Sequence, residues 1–227
     1  RLNLLIDATP DATMKIIMDP IAGDYISGKG TGNIRTEFYN KGDVKMFGNY
    51  RINQGVYKFS LQEVIRKDFI IKDGSTITFN GAPLDANMDI QASYTVNSAS
   101  LNDLIPDASA IIQQPNVRVN CIMNLSGMLV RPTIKLGIEL PNERDEIQTL
   151  VRNYISTEEQ MNTQIIYLLG IGKFYTYDYA NNAQSSNATS SLAFSTLSGQ
   201  LNNMLSQVID SLNWNVGTSL STGQEGW

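Results

Sequence analysis

The chain contains no histidine and a single cysteine among its 227 residues. Without histidine there is no Ser-His-Asp or Cys-His nucleophile pair, and the commonest zinc ligand sets are gone. One cysteine, Cys121, rules out an intramolecular disulfide. Long apolar runs are equally absent. The longest, around Ile165 to Ile171, falls well short of the ~20 residues that a spanning helix needs. Basic residues number 17 against 22 acidic ones, they are scattered, and none follows Lys173. Such a chain offers no basic footprint for nucleic acid and no basic amphipathic anchor at its C-terminal end. It opens on Arg1 with no signal-like stretch, so the expectation is an excised piece of a longer protein whose targeting signals, if any, lie elsewhere.

What is present is alternation. In Asp85 to Val96, DANMDIQASYTV, Ala86, Met88, Ile90, Ala92, Tyr94 and Val96 share one side of an extended chain, and Asn87, Asp89, Gln91, Ser93 and Thr95 share the other. At roughly 3.3 Å per residue this run spans about 40 Å, twice a usual strand. Val44, Met46, Tyr50 and Ile52 alternate in the same way. So do Tyr57, Phe59 and Leu61 after an expected turn at Asn53-Gln54-Gly55, and Ile77 and Phe79 after Asp73-Gly74. Val117, Val119, Cys121, Met123 and Leu125 continue the pattern, followed by Ile134, Leu136, Ile138 and Leu140 up to Pro141. The reading is an antiparallel meander with one apolar face. Asn97 to Asn116, with two prolines and mixed polarity, is expected to be a surface excursion.

After Pro141 the period becomes helical. Ile147, Leu150, Val151 and Tyr154 form one stripe, with Asn142 as the expected cap and Glu143, Asp145 and Glu146 in the first turn. A second helix is expected from Ser156 or Thr157 through Met161, Ile165, Leu168 and Leu169 to Gly170. A flexible Asn/Ser/Ala tract from Asn181 to Ser191 precedes a third, striped by Phe194, Leu197, Leu201, Met204, Leu205, Val208 and Leu212. The expected division is therefore 1–141 as a β-sheet region, 142–180 as a helical region, and 181–227 as polar tract and amphipathic helix.

Nothing in this inventory reads as catalytic. Glu158-Glu159 suits a helix N-terminus, and Asp103 with Asp107 suits a solvated loop. Gly28-Lys29-Gly30-Thr31-Gly32 lacks the Gly-Lys-Ser/Thr ending and the following helix of a phosphate loop, and is expected to be a β-turn. Gly48 shares a face with Met46 and Tyr50, where it would let the sheet bend, while Gly55, Gly74 and Gly81 suit turns. A long apolar sheet face needs covering, and no second sheet or matching helices precede residue 141. Either the sheet curls on itself or it leaves an apolar groove, a surface suited to apolar ligands.

Two blocks carry a family resemblance. The first comprises Gly48 to Phe59, then Phe69 to Ala86, running into Asp89-Ile90-Gln91-Ala92-Ser93-Tyr94. The second is Gly127 to Pro132 with Ile134, then Ile138 to Pro141. In order and spacing they resemble the C-terminal domain of TamB, the translocation and assembly module subunit of diderm bacteria, over roughly Asp43 to Leu169. The tail after Ala180 follows no fixed pattern of that family.

The resemblance implies a mainly β fold: a long, curved antiparallel sheet forming a taco-like or partly closed apolar groove, followed by C-terminal helices. It implies a periplasmic protein, anchored in the inner membrane through parts outside this chain and reaching towards the outer membrane. The function implied is lipid transfer between the inner and outer membranes, outer-membrane protein assembly, or both. Phospholipid acyl chains and an outer-membrane β-barrel assembly protein are the implied partners; no cofactor, metal or enzymatic step is expected. Met46, Tyr50, Phe59, Phe79, Met88, Ile90, Tyr94, Val119, Met123 and Ile134 are the expected groove lining. The alternative is a β-augmentation chaperone or scaffold, whose open edge templates nascent outer-membrane barrels without moving lipid. A lipid-facing transmembrane barrel is a third possibility, disfavoured by the helical region and the few flanking aromatics.

Overall fold

In the computed structural model, which describes residues 1–19, 21–177 and 203, the expectation of an antiparallel sheet followed by helices holds. The strands are β1 (Leu2–Ala8), β2 (Thr13–Asp19), β3 (Asp24–Phe38), β4 (Val44–Leu61), β5 (Ile65–Ile71), β6 (Ser75–Gly81), β7 (Asn87–Ser100), β8 (Asn116–Met128) and β9 (Arg131–Glu139). The helices are α1 (Asp145–Tyr154) and α2 (Glu158–Ile171). All nine strands belong to one sheet, ordered β1-β3-β4-β5-β7-β8-β9, with β2 also on β3, and β6 on both β4 and β7. The chain divides into two compact units, Arg1–Tyr94 with Cys121–Gly137, and Thr95–Asn120 with Ile138–Trp227.

The first unit is organised by two long strands, β3 of 15 residues and β4 of 18. Each is flanked by two short strands in series. β1 pairs with Gly32–Phe38 and β2 with Asp24–Lys29 of β3, while β6 pairs with Met46–Ile52 and β5 with Gly55–Leu61 of β4. Paired residues point to the same face, so the ladders define apolar rows across the sheet. Ala8, Gly32, Tyr50, Ile77 and Met88 make one row; Ile16, Ile26, Tyr57 and Phe69 make another. Ile26, Ile52, Phe69 and Ile77 have no accessible surface, the burial of each contributing about 1.5–3 kcal/mol.

Two glycine expectations are corrected here. Gly28-Lys29-Gly30-Thr31-Gly32 is no turn but the middle of β3, and Asn53-Gln54-Gly55 lies inside the unbroken β4. Glycine serves close strand approach in both. A Cβ on Gly30 would lie 1.9 Å from the Arg51 carbonyl oxygen, where the β3–β4 register shifts between Lys29 and Gly30. At Gly48, with φ of 135°, a Cβ would lie 2.2 Å from the Asn33 oxygen, a position that only glycine fills. Gly74 does occupy a turn at positive φ, as its place between β5 and β6 suggests.

The second unit has its own core. Asn97 to Asn116 is not a loose excursion: β7 runs on to Ser100, and two 3-10 turns, Leu101–Asp103 and Ala108–Ala110, bury Leu101, Leu104, Ile105 and Ala108. The apolar residues in that stretch, masked by the prolines in the sequence, are what hold it down. Helix α1 buries Ile147 and Val151; its N-cap is Arg144, not Asn142, and makes no side-chain cap bond. Helix α2 starts from a capping box between Thr157 and Gln160 and ends on Gly172 in the left-handed conformation. Its stretch Gln164–Leu169 is buried on every side. Two glutamines clamp backbone: Gln148 donates to the Leu140 carbonyl at 2.7 Å and accepts from its N–H at 3.2 Å, and Gln164 does the same for Tyr175 at 2.9 and 2.8 Å. The expected third helix and polar tract of residues 181–227 lie outside the described residues, apart from the helical Asn203.

Candidate functional site

The first unit carries a cleft of about 170 Å³ on the face defined by those rows. Ile6 and Ala8 of β1, Met14 and Ile16 of β2, and Ile34 of β3 form one part of its lining; Met46 and Tyr50 of β4 with Ile77 and Phe79 of β6 form the rest. Strand alternation puts them together: within each strand the contributing residues are an even number of positions apart. Cross-strand pairing then sets Ile6 against Ile34 and Tyr50 against Ile77. No polar surface is exposed in the cleft. Its volume has room for a few methylenes rather than for a whole amphiphile.

The residues read as groove lining from the sequence are distributed as follows. Met46, Tyr50 and Phe79 line the cleft. Phe59 lies further along β4, edge-on to Tyr57 at 5.9 Å and to Phe69 at 5.7 Å, and Phe69 in turn meets the ring of Tyr94 at 6.1 Å. Met88 and Ile90 are 2% and 1% exposed, so a charge at Ile90 would test the core rather than an open wall. Met123 is buried in the first unit, Ile134 is half-buried there, and Val119 is buried in the second unit. Sequence reasoning passed over Ile6, Ala8, Met14, Ile16, Ile34 and Ile77 as lining residues. The alternation Leu2, Leu4, Ile6 and then Met14, Ile16, Met18 would have found those of β1 and β2.

The electrostatics are those of an apolar surface. Burial raises the Tyr50 hydroxyl above its usual range. Burial also raises Tyr57, and the carboxylates of Asp24 and Asp19 push it the same way. Cys121, wholly buried, has its thiol pushed up to about 12 by desolvation, which leaves it protonated and unreactive. Among the described residues, no three of His, Cys, Asp and Glu are grouped to hold a metal ion, and no helix is long and apolar enough to cross a membrane. Chemically, the cleft offers an apolar surface with no polar group exposed in it.

Comparison with curated proteins and with solved structures finds no match to either. The model of one protein family, the TamB C-terminal domain, matches residues 1–226, nearly the whole chain. That coverage extends the resemblance from Asp43–Leu169 to both ends, including β1 and β2, which supply four of the nine residues of the cleft. The chain belongs to the TamB family, as its C-terminal domain.

Proposed function

We propose that the apolar face of the first unit is a conduit for lipid acyl chains in the periplasm, serving transfer between the inner and outer membranes. The family is a non-enzymatic module of outer-membrane assembly and lipid transport in diderm bacteria, which gives the coarse role. The observation that supports the finer reading is the cleft, lined by nine side chains with no polar surface exposed. At ~0.8 kcal/mol per buried methylene, about four methylenes leaving water for a space of this size gain on the order of 3 kcal/mol. Their return to a bilayer is nearly neutral on the same scale, so the lipid is sheltered without being trapped. No catalytic group is needed. Lipids extracted from the purified chain and identified by mass spectrometry test this: stoichiometric phospholipid is expected, and a lipid-free protein purified without detergent contradicts it.

A second reading rests on the sheet edge. β1 ends the sheet, and Leu2, Leu4, Leu5 and Ile6 along it are 59%, 44%, 76% and 40% exposed. Such an edge suits strand addition, hence a scaffold for outer-membrane β-barrels and their assembly protein. Crosslinks from β1 to barrel proteins, with none to lipid from the cleft, would favour this second reading.

A further inference from the structure

Three turns of the first unit lie at one end of its sheet. The β3–β4 hairpin closes between Phe38 and Val44. Strand β6 ends at Gly81, opposite Met46 and so two residues along β4 from Val44, and the 3-10 turn Pro83–Asp85 follows it. The β8–β9 hairpin docks on that turn: the Val130 N–H donates to the Leu84 carbonyl at 3.1 Å and the Leu129 N–H to the Ala86 carbonyl at 2.9 Å. Each turn puts apolar side chains into water. Phe38 is 39% exposed, Leu84 65%, Met128 39% and Val130 51%. Large apolar side chains gathered at one end in this way mark an interaction site.

The polar surroundings identify the partner. The charged residues of these turns and of the strand ends beside them are Arg1, Glu37, Lys41, Asp43, Lys45, Asp85 and Arg131. Glu37 is buried and accepts from the Arg1 guanidinium and from the Tyr39 hydroxyl, each at 2.6 Å, which leaves Lys41, Lys45 and Arg131 exposed against Asp43 and Asp85. The half-buried Tyr39 ring also lies 5.6 Å from the Arg1 guanidinium and 5.4 Å from the Lys45 ammonium. At the opposite end of the sheet the hairpins 19–24 and 61–65 carry Asp19, Asp24 and Glu63 and no base. Apolar tips flanked by cations and a tyrosine are the side-chain pattern of a membrane interface, and the excess of base suits an anionic one. From Phe38 the same face continues over Leu4 and Ile6, both exposed, and Ile6 lines the cleft.

We infer that this end of the first unit docks on the surface of an anionic bilayer, with Phe38, Leu84, Met128 and Val130 dipping among the acyl chains. The docking does not depend on the conduit reading, though it brings the cleft to a membrane. The test is co-sedimentation of the whole chain with vesicles of phosphatidylethanolamine and phosphatidylglycerol, with uptake of a soluble fluorescent fatty-acyl probe measured alongside. Leu84→Ser combined with Val130→Ser is expected to lower partitioning about tenfold, since both side chains are more than half exposed and lose apolar area to bury. The backbone bond between the two residues survives, so this variant melts as the native protein does and still takes up the probe. Arg131→Gln is expected to cost about fivefold on these vesicles and nothing on phosphatidylcholine alone. Ile21→Ser removes an apolar side chain that is 98% exposed at the acidic end, and should leave partitioning unchanged. A native protein that does not sediment with vesicles, a double variant that binds as the native protein does, or an equal loss from Ile21→Ser overturns the docking. Uptake of the probe in any of those cases leaves the conduit reading intact.

Discussion

Met46→Asp separates a ligand surface from a protein core. Met46 lines the cleft, is half-buried, and is paired across β4 with Thr36 of β3 and Gly81 of β6. Gly81 has open space where a Cβ would be, so nothing packs over this position from β6. A carboxylate here stays in contact with water in the empty cleft, and the fold loses about 1 kcal/mol, within the usual range for a single substitution. An acyl chain in the cleft would strip water from that carboxylate, at an effective cost of several kcal/mol. A loss of 3 kcal/mol is more than a hundredfold in affinity at about 1.4 kcal/mol per decade. Ile77→Asp is the contrast, since Ile77 has no accessible surface and its charge has no route to water. The assay pairs thermal unfolding with displacement of a fluorescent fatty-acyl probe. Met46→Asp is expected to melt within a few degrees of the native protein and to lose the probe, and Ile77→Asp to unfold. A stable Met46→Asp protein that binds the probe undiminished would refute the placing of acyl chains in the cleft.

Other expectations concern the framework. Gly30→Ala sets a methyl 1.9 Å from the Arg51 carbonyl oxygen and should cost about 1–3 kcal/mol or more, lowering Tm by roughly 2–4 °C per kcal/mol, while Gly137→Ala, with its nearest neighbour 4.0 Å away, should be close to neutral in the same melt. Gln164→Leu strips the Tyr175 N–H and carbonyl of their side-chain partner and should cost about 1–3 kcal/mol for each group left unmade, measured as a lower urea midpoint. Cys121 reacts only as thiolate; with the folded-state value at about 12, raising the pH to 8 or 9 should leave it unlabelled by a maleimide until denaturant exposes it.

Strands β4, β6, β7, β8 and β9 were legible because alternation is a local signal, and β7 and β9 show it plainly in Met88-Asp89-Ile90 and Ile134-Lys135-Leu136. Glycine misled because it serves two purposes with one letter. It marks a turn at Gly74 and a close approach of strands at Gly30, and only the position of the neighbouring strand tells them apart. Asn97 to Asn116 misled for the opposite reason. Its polar residues and prolines dominate locally, while Leu101, Leu104 and Ile105 follow no single period and are held by tertiary burial. Within the cleft, Tyr50 and Phe79 sit in the block that carries the family resemblance, and Met46 lies two residues before it. Their partners Ile6, Met14 and Ile16 come from short strands at the start of the chain, and the β1–β3 and β2–β3 registers are what bring them to the same face.

The conduit is tested most directly by a photo-crosslinking amino acid placed in turn at Phe79 and at Asn80. Adjacent on β6, the first lines the cleft and the second is exposed on the other face. In cells, phospholipid adducts should form at Phe79 and not at Asn80. Equal labelling at the two positions, or protein adducts without lipid at Phe79, would contradict an acyl-chain conduit along this face.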